Sequence, residues 1–262
     1  MDGVLLALTR AVPTSINWCE LTHLARTPID YARAVDEHER YEAALRELGC
    51  RVERLPDAPD QPDSVFVEDT AVVFDELAVI ARPGAASRRV EVAATIAALS
   101  RHRRLVFIQA PGTLDGGDVL VAPGTVFVGD TPRTNADGAR QLAQLVSPLG
   151  YEVVRVPVTR CLHLKSAVTS LDRALLINRA WIDAAPFGRF DLIDVDPSEP
   201  AAANVLAVGD RVLCADEFPR TRAKIEEAGF VTVSVPAGEL AKAEGGLTCG
   251  SLVLSVFNTR PA

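Results

Sequence analysis

Apolar residues in this chain recur in two alternating rhythms. Short β-rich runs bracket stretches with helical spacing, and the order strand, strand, helix, strand keeps returning. One unit places strands at 65–67 with 71–74 and at 78–81, a helix over 88–100 and a strand at 105–108. In that helix Val92, Ile96 and Leu99 share one face. The next unit has strands at 118–121 and 125–128, a helix over 134–146 and a strand at 153–156. Here Ala139, Leu142, Ala143 and Val146 form the apolar stripe. A third unit runs 167–170, 174–177, a short helix near 179–185, and 192–195. A fourth runs 205–208, 212–214, a helix over 219–228, and 231–235. Gly49, Gly150 and Gly229 each follow a predicted helix where a left-handed C-terminal residue is wanted.

The first unit lacks a strand. It offers 4–8, the longest helix over 31–48, and 52–55, while 252–257 is a strand left over at the other end. If the last strand completes the first unit, the chain closes into a ring and no sheet edge is left open along the series. The pattern therefore predicts an α/β fold, a five-bladed ββαβ propeller with pseudo-fivefold symmetry, closed by the C-terminal strand. An ordinary α/β sandwich is the alternative that periodicity leaves open. The whole of 1–262 reads as one domain.

Composition narrows the chemistry. With 48% apolar residues in 262, the core is ample. The net charge of -8 argues against a nucleic-acid partner, yet suits a cationic small molecule. The N-terminal apolar stretch is short, follows an acid and ends at Arg10, unlike a secretory leader. No run is long enough to span a membrane. Five cysteines, an odd number without a C-x-x-C pair or a zinc-finger spacing, suggest reduced thiols in the cytoplasm.

Four short segments and a pair of arginines carry candidate chemistry. In Pro62-Asp63-Ser64-Val65-Phe66-Val67-Glu68-Asp69, three carboxylates bracket a short apolar run. Read as a strand, it turns Asp63 and Asp69 to one face and Glu68 to the other. In Leu114-Asp115-Gly116-Gly117-Asp118, paired glycines between acids allow close backbone approach or a turn. In Cys161-Leu162-His163-Leu164-Lys165, alternation would put Cys161, His163 and Lys165 on one face. Arg88 and Arg133 lie near helix N-termini, where a cation opposes the helix dipole and an anion ligand would explain it. Cys249 stands between the glycines of Gly245-Gly246-Leu247-Thr248 and a following apolar strand. Each has a plain structural explanation on its own, such as a core thiol, a satisfied histidine or a solvated arginine.

Taken together and in order, the runs Phe66-Val67-Glu68-Asp69, Leu114-Asp115-Gly116-Gly117-Asp118-Val119-Leu120, Arg133-Thr134-Asn135, Leu162-His163-Leu164-Lys165-Ser166 and Leu247-Thr248-Cys249 resemble the dimethylarginine dimethylaminohydrolases. That family belongs to the guanidine-modifying (pentein) superfamily, and the resemblance covers about 30–254. It implies the five-bladed propeller and assigns roles. Cys249 would be the nucleophile and His163 the general acid–base, with Asp115 in the same catalytic set. Asp69 and Asp115 would hold the substrate guanidinium, Asp63 its α-amino group, and Arg88 with Arg133 its α-carboxylate. Glu68 matches a substrate-contact position, Phe66 falls in the same motif, and Leu21 is the candidate from a covering loop at 16–27.

The activity implied is hydrolysis of Nω-methylated arginines to citrulline and dimethylamine or methylamine through a covalent alkylthiouronium. No metal or organic cofactor is required, although zinc on Cys249 and His163 would block the site. Arginine deimination needs the same residues, but deiminases are generally longer and carry an inserted helical domain. An amidinotransferase would have to exclude water, and a non-catalytic cationic amino-acid binder would have no use for both Cys249 and His163. A homodimer is left open.

Overall fold

The computed structural model describes residues 4–256. Five three-stranded sheets follow one another, and each repeats the same connectivity. Blade 2 is built from β3 (Ala71–Val73), β4 (Leu77–Ile80) and β5 (Arg104–Phe107). Blade 3 is β6 (Val119–Ala122), β7 (Thr125–Asp130) and β8 (Glu152–Pro157). Blade 4 is β9 (Val168–Ser170), β10 (Ala174–Ile177) and β11 (Asp191–Asp194). Blade 5 is β12 (Leu206–Val208), β13 (Arg211–Ala215) and β14 (Val231–Val235). In each, the first two strands are an antiparallel hairpin, and the third joins parallel after a crossover.

Blade 1 closes the ring as the periodicity requires. β15 (Leu252–Val256) pairs antiparallel with β1 (Val4–Thr9), and β1 pairs parallel with β2 (Cys50–Arg54). The expected strand at 252–257 thus holds through Val256, and Phe257 lies outside the described residues. The inner strands β3, β6, β9, β12 and β15 all line one central cavity of about 310 Å³. The five-bladed propeller is the fold.

Helices fill the crossovers: α1 (Tyr31–Glu47), α2 (Val92–Leu99), α3 (Ala136–Val146) and α4 (Pro219–Glu227). Their apolar stripes pack into cores shared between blades; Leu142 and Val146 of α3 meet Val79 and Val126 there. Gly49, Gly150 and Gly229 adopt φ of 90°, 95° and 86°, the left-handed ends expected of them. α3 is capped by the Asn135 side chain, which accepts from the Gly138 N–H.

Three expectations fail locally. The run 65–67 is not a strand: successive turns and a 3-10 helix, Val67–Thr70, occupy it. Phe66 N–H bonds to Asp63 O, a three-residue closure that extended backbone cannot make. The stretch 88–100 opens as a 3-10 helix, Ala86–Glu91, before α2 begins. The short helix at 179–185 is replaced by turns and a single 3-10 turn, Ala185–Phe187. Asn178 Oδ1 accepts from Ala180 N–H and Asp183 Oδ1 from Ala185 N–H. Such side-chain bonds compete with the helical ladder.

Candidate active site

The hairpin geometry decides where functional side chains gather. The start of an inner strand and the end of its middle strand lie at the same end of the propeller. Four of the five inner strands are entered through a 3-10 turn: Val67–Thr70, Gly116–Asp118, Leu164–Ser166 and Thr248–Gly250. Asp69, Asp118 and Cys249 lie within these turns, and His163 is the residue before one. Arg88 and Arg133 come from segments that follow β4 and β7. Residues from four blades therefore face one another across the mouth of the channel.

His163 is buried between two carboxylates. Its Nε2 is 3.1 Å from Asp115 Oδ2, and its Nδ1 is 3.7 Å from Asp69 Oδ1. Burial alone would lower its pKa, but Asp69, Asp118 and Asp115 together raise it to about 9. The imidazole is therefore held as a cation at neutral pH. Gly117 permits this approach, because a Cβ there would stand 2.6 Å from His163 Nδ1 and 2.7 Å from Asp69 Oδ1. The Gly117 N–H also donates to Asp69 Oδ1 over 3.0 Å. Asp115 is fixed by the Gly84 N–H at 2.8 Å. Against the cost of its burial, His163 and Arg88 hold the Asp69 carboxyl at about 2.

Cys249 is buried in the turn before β15, and the Gly246 N–H points at its Sγ over 3.3 Å. Burial first, then Glu68 and Asp69, push the thiol to about 12. Without a cation beside it, the sulfur is a thiol at neutral pH. Glu68 faces away from Asp69 because successive residues of a 3-10 turn diverge by a third of a revolution, not because strands alternate. Its carboxylate accepts from Lys165 Nζ at 2.5 Å and from Thr248 Oγ1 at 2.6 Å, tying the His163 and Cys249 turns together.

The two arginines are not equivalent. Arg88 is buried, with Nη1 2.6 Å from Asp69 and Nη2 2.9 Å from Glu91, and Nη2 also bonds to the carbonyls of Asp63 and Phe66. Its anions come from the protein, not from an empty helix end. Among the described residues, the one side-chain partner of Arg133 Nη2 is Thr22 Oγ1, at 3.3 Å. Asp63 accepts from the Glu20 N–H with both oxygens at 3.2 Å. Cys161 and Lys165 do not share a strand face with His163: Cys161 Sγ bonds to the His163 carbonyl, while Lys165 turns to Glu68.

The loop over the site packs Leu21 into an apolar cluster with Phe66 and Cys249. Glu244, four residues before the nucleophile turn, accepts the N–H groups of Thr22, His23 and Leu24. Neither Glu244 nor Asn204 stood out in the sequence. Asn204 Oδ1 accepts the Thr248 N–H at 2.9 Å, and its Nδ2 donates to Thr248 Oγ1 and to the Lys165 carbonyl. It precedes inner strand β12, so its place in the repeat was the one signal available. Among the described residues, the ligand-type atoms of Asp69, Asp115 and His163 lie within 4.8 Å of one another. All five cysteines are free.

Comparison with known proteins shows the family of the chain. The family described as "N,N dimethylarginine dimethylhydrolase, eukaryotic" matches residues 22–175. The N(G),N(G)-dimethylarginine dimethylaminohydrolase of Streptomyces coelicolor is 43% identical over 237 residues, covering 89% of this chain and 91% of that protein. Its namesake from Pseudomonas aeruginosa is 35% identical, over 88% and 91% of the two chains. A solved structure of the Pseudomonas aeruginosa enzyme, a Cys-to-Ser mutant complexed with citrulline, superposes with a TM-score of 0.91 at 32% identity, covering 96% of this chain and all of that one.

Proposed function

The chain belongs to the dimethylarginine dimethylaminohydrolase family, and we propose on that premise that it hydrolyses Nω-methylated arginines to citrulline and an alkylamine. The observation that carries the reading is a buried His163 imidazole set between Asp69 and Asp115, with the turn that holds Asp69 adjoining the turn that holds Cys249. The two acids there would offer oxygens to the nitrogens of a planar cation, whose burial without such partners would be costly.

In this reading Asp69 and Asp115 receive the guanidinium, Asp63 the α-amino group, and Arg88 with Arg133 the α-carboxylate. Leu21 and Phe66 cover the aliphatic stem. The arriving cation stabilises the Cys249 thiolate, the thiol proton leaving to solvent, and the sulfur lone pair adds to the guanidinium carbon. The C–N bond to the alkylamine then breaks, and its electron pair takes a proton from His163. The resulting alkylthiouronium is attacked by water, which neutral His163 deprotonates. The C–S bond breaks, leaving citrulline and the thiolate. Glu68 acts behind the nucleophile, through Thr248 and Lys165. We place the reaction in one domain spanning 1–262, in the cytoplasm, with a small cationic substrate and neither nucleic acid nor membrane; among the described residues no helix is long and apolar enough to cross a membrane.

The test is product analysis. Ammonia, methylamine and dimethylamine release are compared for arginine, Nω-methylarginine and Nω,Nω-dimethylarginine. Dimethylamine with matching citrulline is the expected result. Ammonia from arginine as the fastest reaction would instead make the chain a deiminase.

A further inference from the structure

Asp118 is a fully buried carboxylate that the chemistry above does not use. It ends the 3-10 turn Gly116–Asp118, immediately before β6. Its Oδ1 accepts the Leu164 N–H at 3.0 Å, one residue after His163. Its Oδ2 accepts the Thr131 hydroxyl at 2.6 Å. That hydroxyl oxygen in turn accepts the N–H of Arg133 at 3.1 Å and of Thr134 at 3.2 Å. Thr134 Oγ1 accepts the N–H of Asp115 at 3.1 Å. One carboxylate thus stands at the root of the segments that carry His163, Arg133 and Asp115.

The surroundings are shaped around it. Gly129, inside strand β7, has no structural need for glycine on conformational grounds. A Cβ there would lie 2.6 Å from Asp118 Oδ1 and 3.0 Å from Leu164 Cβ. A strand gives up side-chain packing at such a position only where another group needs the space. A buried anion is also costly, and a neutral side chain of similar size could fill the volume. Asparagine could accept from Leu164 but could not accept the Thr131 proton without turning its amide from Leu164. The anion is the form that serves both partners at once.

We propose that Asp118 is a positioning residue that locks the His163 turn of blade 4 to the Arg133 segment of blade 3. It sets the imidazole and the carboxylate-binding arginine at a fixed separation. This rests on the function proposed above, since it assumes that His163 and Arg133 act on one substrate. Thr131 is the second half of the lock, and its hydroxyl is the part that matters.

The test uses Asp118→Asn, Thr131→Val, Thr131→Ser and the Asp118→Asn/Thr131→Val double variant, with dimethylarginine as substrate. The folded fraction of each preparation is measured by circular dichroism through a urea unfolding curve, so that misfolded protein does not enter kcat. Asp118→Asn is expected to lower kcat by tenfold or more per folded molecule. Thr131→Val should raise KM by about fivefold, while Thr131→Ser stays within twofold of wild type. The double variant should lose less than the product of the two single losses, because both act through one bond. Wild-type kinetics in either Asp118→Asn or Thr131→Val, or strictly multiplicative losses, would overturn the lock. If wild type itself releases no alkylamine, the functional reading fails instead, which is a separate outcome.

Discussion

Arg88 Nη1 lies 2.6 Å from Asp69 Oδ2 with both side chains buried, so a guanidinium of the protein already sits on a carboxylate assigned to the substrate's guanidinium. The remaining Asp69 oxygen faces Gly117 and His163. In the proposed reading, the substrate would bring a third cation, after Arg88 and His163, to a carboxylate that is held ionised down to about pH 2.

Removing the resident cation should be expensive. Arg88→Leu leaves Glu91 unpaired in the interior and Asp69 with only His163 and the Gly117 N–H, which costs about 3–5 kcal/mol. Arg88→Lys keeps the charge but not the fork that spans Asp69, Glu91 and two carbonyls, so it should recover less than half of that. Urea unfolding measures both; an Arg88→Leu protein within 1 kcal/mol of wild type would show the pair to be incidental, by the same scale.

The thiol of Cys249 should be unreactive in the free enzyme. With its pKa at about 12, alkylation by iodoacetamide should keep rising about tenfold per pH unit through pH 9. A guanidinium ligand small enough to leave the sulfur open should accelerate it at pH 7. A plateau in the free-enzyme rate near pH 8 would mean that the protein alone ionises the cysteine. Cys249→Ser should retain ligand binding by calorimetry and lose turnover by more than about 1000-fold.

His163 makes stability depend on pH with a definite sign. Its pKa rises from 6.5 to about 9 on folding, so its contribution is complete below pH 6.5 and disappears as the pH climbs through 9. The gap in unfolding free energy between wild type and His163→Gln should shrink by up to roughly 3 kcal/mol over that window. The lowered Asp69 pKa reports the same ion pair from the other side and is not counted twice. A gap independent of pH from 6 to 10 would mean a neutral imidazole.

Gly117→Ala should fold and fail to turn over. The added methyl meets His163 and Asp69 in the site itself, while the surrounding 3-10 turn tolerates alanine. A loss of 100-fold or more in kcat/KM is expected, about 3 kcal/mol of transition-state stabilisation. Thermal unfolding and steady-state kinetics on one preparation separate the two effects.

The covering loop should come loose without Glu244. This residue holds three backbone N–H groups of 22–24 while its own φ is 59°, a left-handed strain that glycine would relieve. Glu244→Gly should therefore raise KM several-fold and speed proteolytic nicking near Arg26, yet leave the melting temperature unchanged or higher. A drop in melting temperature with unchanged KM would assign Glu244 to the scaffold instead.

Repetition was legible in the chain because each unit carries its own apolar strands and amphipathic helix. Blades 3 and 5 appear nearly where Leu142, Val146 and Ile225 place their helices. The irregular segments were misread where polar side chains make local bonds. Around 65–67 a turn looks apolar because its side chains are buried in the site. Around 179–185 Asn178 and Asp183 take up the backbone that a helix would need.

Residue types and their order along the chain nominated Cys249, His163, Asp115, Asp69 and the two arginines through their resemblance to a known family, while each alone had a plain structural explanation. Only the closed ring decided their company. It set Asp69 against Arg88, placed His163 between two acids, gave Asp118 of the Asp115–Asp118 motif its partners, and recruited Asn204 and Glu244, which carry no local signal. Linear sequence encodes contacts at helix and strand spacing. The distances among residues 69, 118, 163 and 249 depend on how five sheets pack around a common channel, and that is a property of the closed ring.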